Sequence, residues 1–190
     1  MQLLKDRILA EAVAVNDDII RVGSFINHQV DPVLMKAIGE EIARHFEKSK
    51  VTKVVTIESS GIAPALYTAE TLNVPMIILK KQPSKVLNGD LYHTMITSYT
   101  KGTNYELTLA TEFLNENDHV LIVDDFLANG EAATGAIRLL RMAHATVAGV
   151  GILIEKSFQP GREKLERAGV EVYSLVRIAK LGKDRVEFLQ

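Results

Sequence analysis

The chain has 190 residues, 47% of them hydrophobic and 24% charged, which suits one globular domain and requires no second one. Its 24 acidic and 22 basic residues nearly balance and form no basic block, so a nucleic-acid surface and an anionic membrane partner are not expected. The absence of cysteine excludes disulfides and thiolate metal sites. Because there is no basic-apolar leader and no long apolar run, secretion and membrane insertion are not expected. We expect a cytoplasmic protein with a small-molecule substrate.

The N-terminal part of the chain predicts two helices. Residues 3–11 have an amphipathic pattern, and a second helix begins at Asp31 and Pro32, which suit the N-cap and the first turn. Its buried face recurs at four-residue steps, at Leu34, Ile38, Ile42 and Phe46. Residues 1 to about 30 and the C-terminal run 185–189 are assigned to a small hood over the sheet.

Strand-like and helical segments alternate beyond residue 50. The predicted strands are 51–58, 76–79, 105–110, 120–123, 147–154 and 170–176. Helical segments lie between several of them, including one that ends at about Leu72. This alternation predicts one α/β domain with a mostly parallel sheet flanked by helices and right-handed crossovers.

The segment 120–132 is the most informative part of the chain. An apolar run without alternation indicates a strand buried on both faces, and it leads into Asp124 and Asp125. A short turn with Gly130 then enters a helix, whose free N–H groups favour phosphate. Two carboxylates beside a phosphate require sugar hydroxyls or a divalent cation, and a sugar diphosphate supplies the first and carries the second. The alternative is an ordinary strand end with a capping aspartate.

A second loop with the same character follows the strand 51–58. Ser60 and Gly61 could form a nest for pyrophosphate oxygens, although a plain strand-to-helix connection is the alternative. Lys80 and Lys81 end the next strand at the same edge, and we favour Lys81 for neutralising pyrophosphate. A solvated lysine pair is the commoner explanation for such charges.

These motifs resemble the type I phosphoribosyltransferases, whose signature is an apolar strand, an acidic pair and a small-residue turn. The resemblance implies that Asp124 and Asp125 hold the ribose hydroxyls of phosphoribosyl pyrophosphate (PRPP) and that Mg²⁺ arrives with the diphosphate. It also implies a homodimer. The turn would bind the 5-phosphate through its backbone, at Ala128, Asn129, Gly130, Glu131 and Ala132. Many members have Thr and a second Gly there, so hydroxyl contacts are fewer in this chain.

Within that family, the turn and the segments 154–162 and 19–32 are most similar to the bacterial xanthine phosphoribosyltransferases. This similarity implies that xanthine is contacted by Ile20, Asn27 and Lys156. Lysine offers only donors, which suits a 6-oxo group and disfavours the amino group of adenine. For Lys156, an ion pair with Glu155 or Glu163 is an equally good interpretation.

The polar stretch 82–104 reads as strand-poor. By the same resemblance it is a flexible lid that closes over the diphosphate and excludes water, with Tyr99 and Lys101 as contacts. A surface hairpin is the alternative.

The resemblance thus implies a purine-salvage transferase that joins the phosphoribosyl group to N9 of xanthine and releases pyrophosphate. No residue is assigned as a general base, and no metal site made by the protein alone is expected. Two alternatives stay open, a guanine or hypoxanthine phosphoribosyltransferase and a non-catalytic PRPP-sensing regulator of the same fold. The regulator would need a nucleic-acid-binding domain or a basic face.

Overall fold

The computed structural model of the chain describes residues 1–81, 90–98, 103–183 and 185–189. Its elements are α1 Gln2–Glu11, β1 Val13–Ala14, β2 Ile20–Arg21, α2 Pro32–Phe46, β3 Lys53–Ile57, α3 Ile62–Leu72, β4 Met76–Leu79, β5 Leu91–Ser98, β6 Thr103–Ala110, β7 His119–Leu127, α4 Glu131–Met142, β8 Thr146–Lys156, α5 Gly161–Arg167, β9 Val172–Gly182 and β10 Arg185–Phe188. A π-helical turn lies at Gly23–Asn27 and a 3-10 turn at Thr111–Phe113. Among the described residues, no helix is long and apolar enough to span a bilayer.

A six-stranded sheet in the order β10-β9-β8-β7-β3-β4 forms the centre of the molecule. The pairings from β9 to β4 are parallel, and β10 runs antiparallel at the edge. The predicted α/β class with a mostly parallel sheet flanked by helices is therefore confirmed. Because β3, β4, β7 and β8 are parallel, their carboxyl ends meet on one side of the sheet.

β7 explains why the apolar run of the sequence shows no alternation. Leu121 and Val123 pack in the core that also contains residues of α1, α2 and α3. Val120 and Ile122 pack in a second core with α4 and α5. All four side chains are fully buried, and each such burial contributes about 1.5 to 3 kcal/mol. The strand is therefore covered on both faces from Val120 to Val123, and the acidic pair lies further along the same strand.

The predicted start of α2 is confirmed. The Asp31 carboxylate accepts hydrogen bonds from the N–H groups of Val33 and Leu34 at 3.0 and 3.1 Å, and Pro32 occupies the first turn. Arg7 of α1 forms an ion pair with the same carboxylate at 2.7 Å. The hydrogen bond from Leu34 is the main cause that lowers the pKa of Asp31. Asp31 therefore both caps α2 and ties α1 to it.

The hairpin of β5 and β6 corrects two expectations. β6 covers the predicted strand 105–110 but pairs with β5 outside the central sheet, which it meets where Lys80 and Thr108 exchange two backbone hydrogen bonds. β5 lies in the stretch 82–104 that read as strand-poor. Leu107 and Leu109 are buried in the core under α4, so β6 has one apolar face, as antiparallel ribbons commonly do.

The predicted lid falls partly on this hairpin. Residues 82–89 and 99–102 lie outside the described residues, and Tyr99 and Lys101 are among them. The hairpin itself packs against α4, since Ile96 is buried in the same core. The lid function of this part of the chain stays a prediction.

The two termini meet at one end of the sheet. The N-terminal ammonium group donates to the Leu175 carbonyl at 2.7 Å, and Lys5 Nζ lies 5.6 Å from the centre of the Phe188 ring. The C-terminal run was assigned to the hood, but β10 is hydrogen-bonded to β9 and is an edge strand of the central sheet. The reason is that β9 continues to Gly182, beyond Ile178, its last partner position with β8.

Candidate active site

The carboxyl edge of the sheet contains two adjacent hollows. The smaller has a volume of about 240 Å³ and the larger about 470 Å³. They share Tyr105, Phe126 and Ala132 in their walls. The smaller hollow is lined by Asp124, Asp125, Ser60 and Lys81, and the larger is lined by residues 128–132 and Lys156.

Asp124 and Asp125 form a mutually repelling pair of carboxylates at the end of β7. Asp124 is 8% exposed, and its Oδ1 accepts a hydrogen bond from the Asp125 N–H at 3.0 Å. Burial and then repulsion from Asp125 raise the pKa of Asp124 well above its ordinary value. Burial also raises the pKa of Asp125, although the Phe126 N–H donates to it at 2.9 Å and opposes this effect. Such a pair favours a ligand that brings hydroxyl donors or positive charge.

Ser60 and Lys81 lie in the wall of the smaller hollow, beside the acidic pair. The charge of Lys81 is among the causes that lower the pKa of both aspartates, so its ammonium group partly balances them. Lys80 instead forms an ion pair with Glu58 at 3.4 Å. Of the two lysines, Lys81 is therefore the one that is placed to meet an anion in this hollow.

Gly61 packs directly beneath the acidic pair. A Cβ atom at this position would lie 2.3 Å from Thr56 Oγ1 and 3.0 Å from Asp124 Oδ1. The loop after β3 can approach the end of β7 this closely because glycine has no side chain. Gly61 thus supports the smaller hollow from below, while Ser60 lines it.

Residues 128–132 line the larger cleft and lead into α4. Gly130 has a φ of 76°, and its carbonyl accepts a hydrogen bond from Thr134 at 2.9 Å. The free N–H groups in the first turn of α4 are the usual donors to a phosphate. The Glu131 side chain pairs with Lys164 at 2.6 Å, so its charge is balanced beside α5.

The predicted phosphate loop, residues 128–132, packs against the start of α5. The Gly161 N–H donates to the Ala128 carbonyl at 3.0 Å. A Cβ atom on Gly161 would lie 2.3 Å from that same oxygen and 3.0 Å from Gly130 N. The loop and the start of α5 are therefore in close backbone contact, which no local sequence pattern indicates.

Lys156 lines the larger cleft at the end of β8. Its Nζ donates to the Asp18 carbonyl at 2.5 Å and lies 5.7 Å from the centre of the Phe126 ring. Burial lowers the pKa of Lys156. The ion pairs considered as an alternative are not formed, because Glu155 pairs with Arg162 and Glu163 pairs with Arg167.

Ile20 and Asn27 do not line the larger cleft. Ile20 is 7% exposed and packs in the core shared with α1, α2 and α3. Asn27 ends the π-helical turn and is exposed to solvent. The hood residues in the cleft wall are instead Asn16, Asp18 and Ile19.

The larger cleft is also lined by Asp18, Phe126 and Gln159, which the sequence patterns did not indicate. Phe126 directly follows the acidic pair, so an aromatic residue at that strand end was an available signal for a flat apolar wall. Gln159 lies inside the segment 154–162 that carried the resemblance. For Asp18 no pattern was available, since it reaches the cleft through the folding of the hood.

Behind Lys156, the Glu155 side chain forms a buried charged network. It is 1% exposed, and its carboxylate accepts hydrogen bonds from Ser157, Arg162, Ser174 and Arg177. Burial alone would raise the pKa of Glu155, but the hydrogen bonds, led by Arg162, lower it to about 2. Arg162 follows Gly161 directly, so this network fixes both Lys156 and the support of the phosphate loop.

The Glu155→Gln substitution is expected to destabilise the protein at neutral pH by about 2 to 4 kcal/mol, because Arg162 loses its buried partner. The folded pKa of about 2 is below the ordinary 4.5, so the stabilising effect of the Glu155 charge is present above about pH 4.5 and is lost as the pH falls toward 2. Urea unfolding from about pH 7 to pH 2 should therefore show a shallower acid decline in the variant.

The matched control for this substitution is Glu166→Gln. Glu166 also pairs with Arg162, at 2.9 Å, but is 52% exposed, so its loss should change stability by less than about 1 kcal/mol. Parallel acid declines in the Glu155 variant and the unaltered protein would contradict the assignment of this pH dependence to Glu155.

Residues 29–180 match the family model of the phosphoribosyl transferase domain, and the chain belongs to this family. The xanthine phosphoribosyltransferase of Agathobacter rectalis is 60% identical over 190 residues, which cover 100% of this chain and 99% of that protein. Xanthine phosphoribosyltransferase 1 of Clostridium botulinum is 58% identical over 190 residues, which cover 100% of this chain and 100% of that protein.

Solved structures of adenine phosphoribosyltransferases have the same fold. The enzyme of Trypanosoma brucei, in complex with AMP, pyrophosphate and ribose-5-phosphate, superposes with a TM-score of 0.77 at 18% identity, over 92% of this chain and 79% of that one. The Giardia lamblia enzyme with 9-deazaadenine gives 0.76 at 23% identity, over 92% and 97%. At these identities the likeness establishes the fold alone.

Proposed function

We propose that this protein transfers the phosphoribosyl group of PRPP to N9 of xanthine, forming xanthosine 5′-monophosphate and pyrophosphate. The observation that carries the proposal is the joining of two hollows at one sheet edge, one beside the acidic pair and one between the phosphate loop and Lys156. The full-length identity of 60% to a relative named xanthine phosphoribosyltransferase supports the choice of base.

In this proposal PRPP spans the two hollows. Its 5-phosphate binds the backbone N–H groups of residues 128–132, and its ribose hydroxyls donate to Asp124 and Asp125. Its pyrophosphate lies in the smaller hollow against Ser60 and Lys81. The raised pKa values of the two aspartates support this arrangement, since bound hydroxyl groups would relieve their repulsion.

Magnesium fits this site only together with the substrate. Among the described residues, no group of three or more His, Cys, Asp or Glu side chains is arranged to hold a metal ion. Mg²⁺ commonly keeps several waters and binds through substrate phosphates with one or two carboxylates, and the acidic pair offers those carboxylates. When bound, the ion would neutralise charge on the departing pyrophosphate.

Base recognition is assigned to the larger cleft. Lys156 would donate to the 6-oxo group of xanthine, with the Phe126 ring as an adjoining apolar surface. Ile20 and Asn27 remain proposed contacts by resemblance, and the hood would have to shift for their side chains to reach the cleft. The reaction breaks the bond between C1 of the ribose and pyrophosphate and forms the bond to N9 with inversion at C1. N9 loses its proton, and no side chain is assigned to accept it.

The proposed lid is the stretch 82–104, which includes β5 and the start of β6 in the β5–β6 hairpin. Ile96, Thr97 and Tyr105 from this hairpin line the larger cleft, so its closure would cover the reacting atoms. Excluding water matters because water would otherwise capture the ribosyl cation-like transition state.

We also infer a cytoplasmic homodimer, since closed dimers are the commonest assemblies of soluble proteins. Analytical ultracentrifugation tests the dimer.

Pyrophosphate release from PRPP and Mg²⁺, measured with each purine offered separately, tests the proposed function. We expect xanthine to give the highest kcat/KM and adenine to give at least about 100-fold less, because the amino group of adenine cannot accept from Lys156. Faster pyrophosphate release with guanine or hypoxanthine would show that this base, and not xanthine, is the preferred substrate. Tight PRPP binding without release for any base would instead favour the regulator.

A further inference from the structure

A tight turn places Gln159 beside Lys156. The Gln159 N–H donates to the Lys156 carbonyl at 2.9 Å, which folds the chain back after the end of β8. Both side chains line the larger cleft. The proposed base-reading lysine therefore has an amide side chain next to it on the same wall.

Asp18 of the hood sets the orientation of this amide. Gln159 Nε2 lies 3.5 Å from Asp18 Oδ1, and Lys156 Nζ donates to the carbonyl of the same residue. An ionised carboxylate can only accept hydrogen bonds, so the NH₂ group of Gln159 faces Asp18 and the amide oxygen points the other way.

The amide oxygen of Gln159 has an unmet hydrogen-bonding capacity. Gln159 Oε1 is shielded from solvent and has no hydrogen-bond partner within the described part of the chain. Buried acceptors are usually satisfied, because leaving one unpaired is costly. Because this oxygen is covered in the protein without ligand, the Gln159 side chain must shift toward the cleft when a ligand binds, and a donor of that ligand would then meet this requirement.

We propose that Gln159 is a specificity-determining residue that accepts a hydrogen bond from the N1–H group of a 6-oxo purine. This inference rests on the proposed function and deepens it. Lys156 Nζ donates to O6, and Gln159 Oε1 accepts from the adjacent N1–H, so the pair reads the acceptor and donor of one amide edge. Adenine presents the opposite order, a donor at position 6 and an acceptor at N1. Asp18 is the positioning residue that holds both side chains.

The test compares xanthine with 1-methylxanthine in the unaltered protein and in the Gln159→Met variant, by pyrophosphate release. Methionine keeps the side-chain length and removes the amide oxygen. We expect the unaltered protein to prefer xanthine over 1-methylxanthine by about 10- to 100-fold and the variant to lose most of this preference. The KM for PRPP should stay unchanged, which a general loss of structure would not allow.

Phe158→Leu is the matched control, because Phe158 lies in the same turn but does not line the cleft. It should keep the preference for xanthine over the methylated base. Asp18→Asn is the second variant and should weaken the preference, since an asparagine amide no longer dictates which way Gln159 points. If the Gln159→Met variant does not fold, the Asp18→Asn variant tests the proposal in its place.

The possible failures are distinguishable. No pyrophosphate release by the unaltered protein with xanthine would reject the proposed function itself. Normal release together with equal penalties for 1-methylxanthine in the unaltered protein and the Gln159→Met variant would reject only the role of Gln159. If the Gln159→Met variant lost the preference for xanthine over 3-methylxanthine but kept the preference for xanthine over 1-methylxanthine, the assignment to N1–H would be overturned.

Discussion

Replacing Asp124 with Asn is expected to stabilise the protein without ligand while reducing phosphoribosyl transfer by about 100-fold or more. The folded pKa of Asp124 is raised by burial and by Asp125, so ionising it costs more in the folded than in the unfolded state. The Asp124 charge therefore destabilises the folded protein at neutral pH, and this penalty is relieved as the pH falls. Asparagine removes the charge and also the carboxylate proposed to bind a ribose hydroxyl.

Thermal unfolding with and without PRPP and Mg²⁺ measures both effects. We expect the variant without ligand to gain about 1 to 2 kcal/mol, which corresponds to a Tm increase of about 2 to 8 °C for a chain of this size. The unaltered protein should gain further stability from PRPP, and the variant should gain little. A lower Tm for the variant without ligand would contradict the electrostatic account.

Asp118→Asn is the opposite-sign control for this prediction. Asp118 is also buried, but it directly precedes β7, at the opposite end of the strand from the acidic pair. It forms an ion pair with Lys53 at 3.0 Å. Burial alone would raise its pKa, yet hydrogen bonds from Asn115, Lys53 and Thr52 lower it. Its replacement should therefore destabilise the protein by about 1 to 3 kcal/mol and leave kcat/KM nearly unchanged at permissive temperature.

Gly161→Ala is expected to raise the KM for PRPP at least about 10-fold. The new Cβ would lie 2.3 Å from the Ala128 carbonyl oxygen and 2.8 Å from Leu127 Cδ1, distances that ordinary contacts do not reach. The carbonyl belongs to the backbone of the phosphate loop, so the loop must move. Steady-state kinetics with PRPP varied at saturating xanthine measures the effect.

Gly182→Ala is the matched control for this steric prediction. Its Cβ would find its nearest neighbour, Arg185 Cβ, at 3.9 Å, so nothing has to shift. We expect its KM for PRPP to be unchanged. An unchanged KM for Gly161→Ala as well would show that the phosphate loop does not depend on the start of α5.

The sequence by itself predicted the α/β class and five of the six strands of the central sheet. Strands buried on both faces need apolar residues at every position, so the run from Val120 to Val123 was recognisable without coordinates. Asp31 and Pro32 likewise marked the start of α2, because capping depends on neighbouring residues only. Asp124 and Asp125 lie in the last part of β7 and Lys156 ends β8, and parallel strands bring such ends to one side.

The hairpin was only half recognisable from the sequence. The strand that became β6 was visible, but its pairing with β5 rather than with the parallel sheet was not, since pairing depends on contacts between distant segments. The same reason applies to β10, whose partner exists only because β9 extends beyond β8. Polar composition misled at β5 because a strand with one exposed face needs few apolar residues.

Only the tertiary structure decided how the site is supported and which residues line the larger cleft. The backbone contact of Gly161 with Ala128, and the placement of Asp18 beside Gln159, join segments far apart in the chain. Neither leaves a periodic or local signal. The resemblance pointed to Ile20 and Asn27, whereas folding placed Asp18 and Ile19 in the cleft wall. Local patterns encode which face of an element is buried, but the approach of two loops depends on the packing of the whole sheet and its helices.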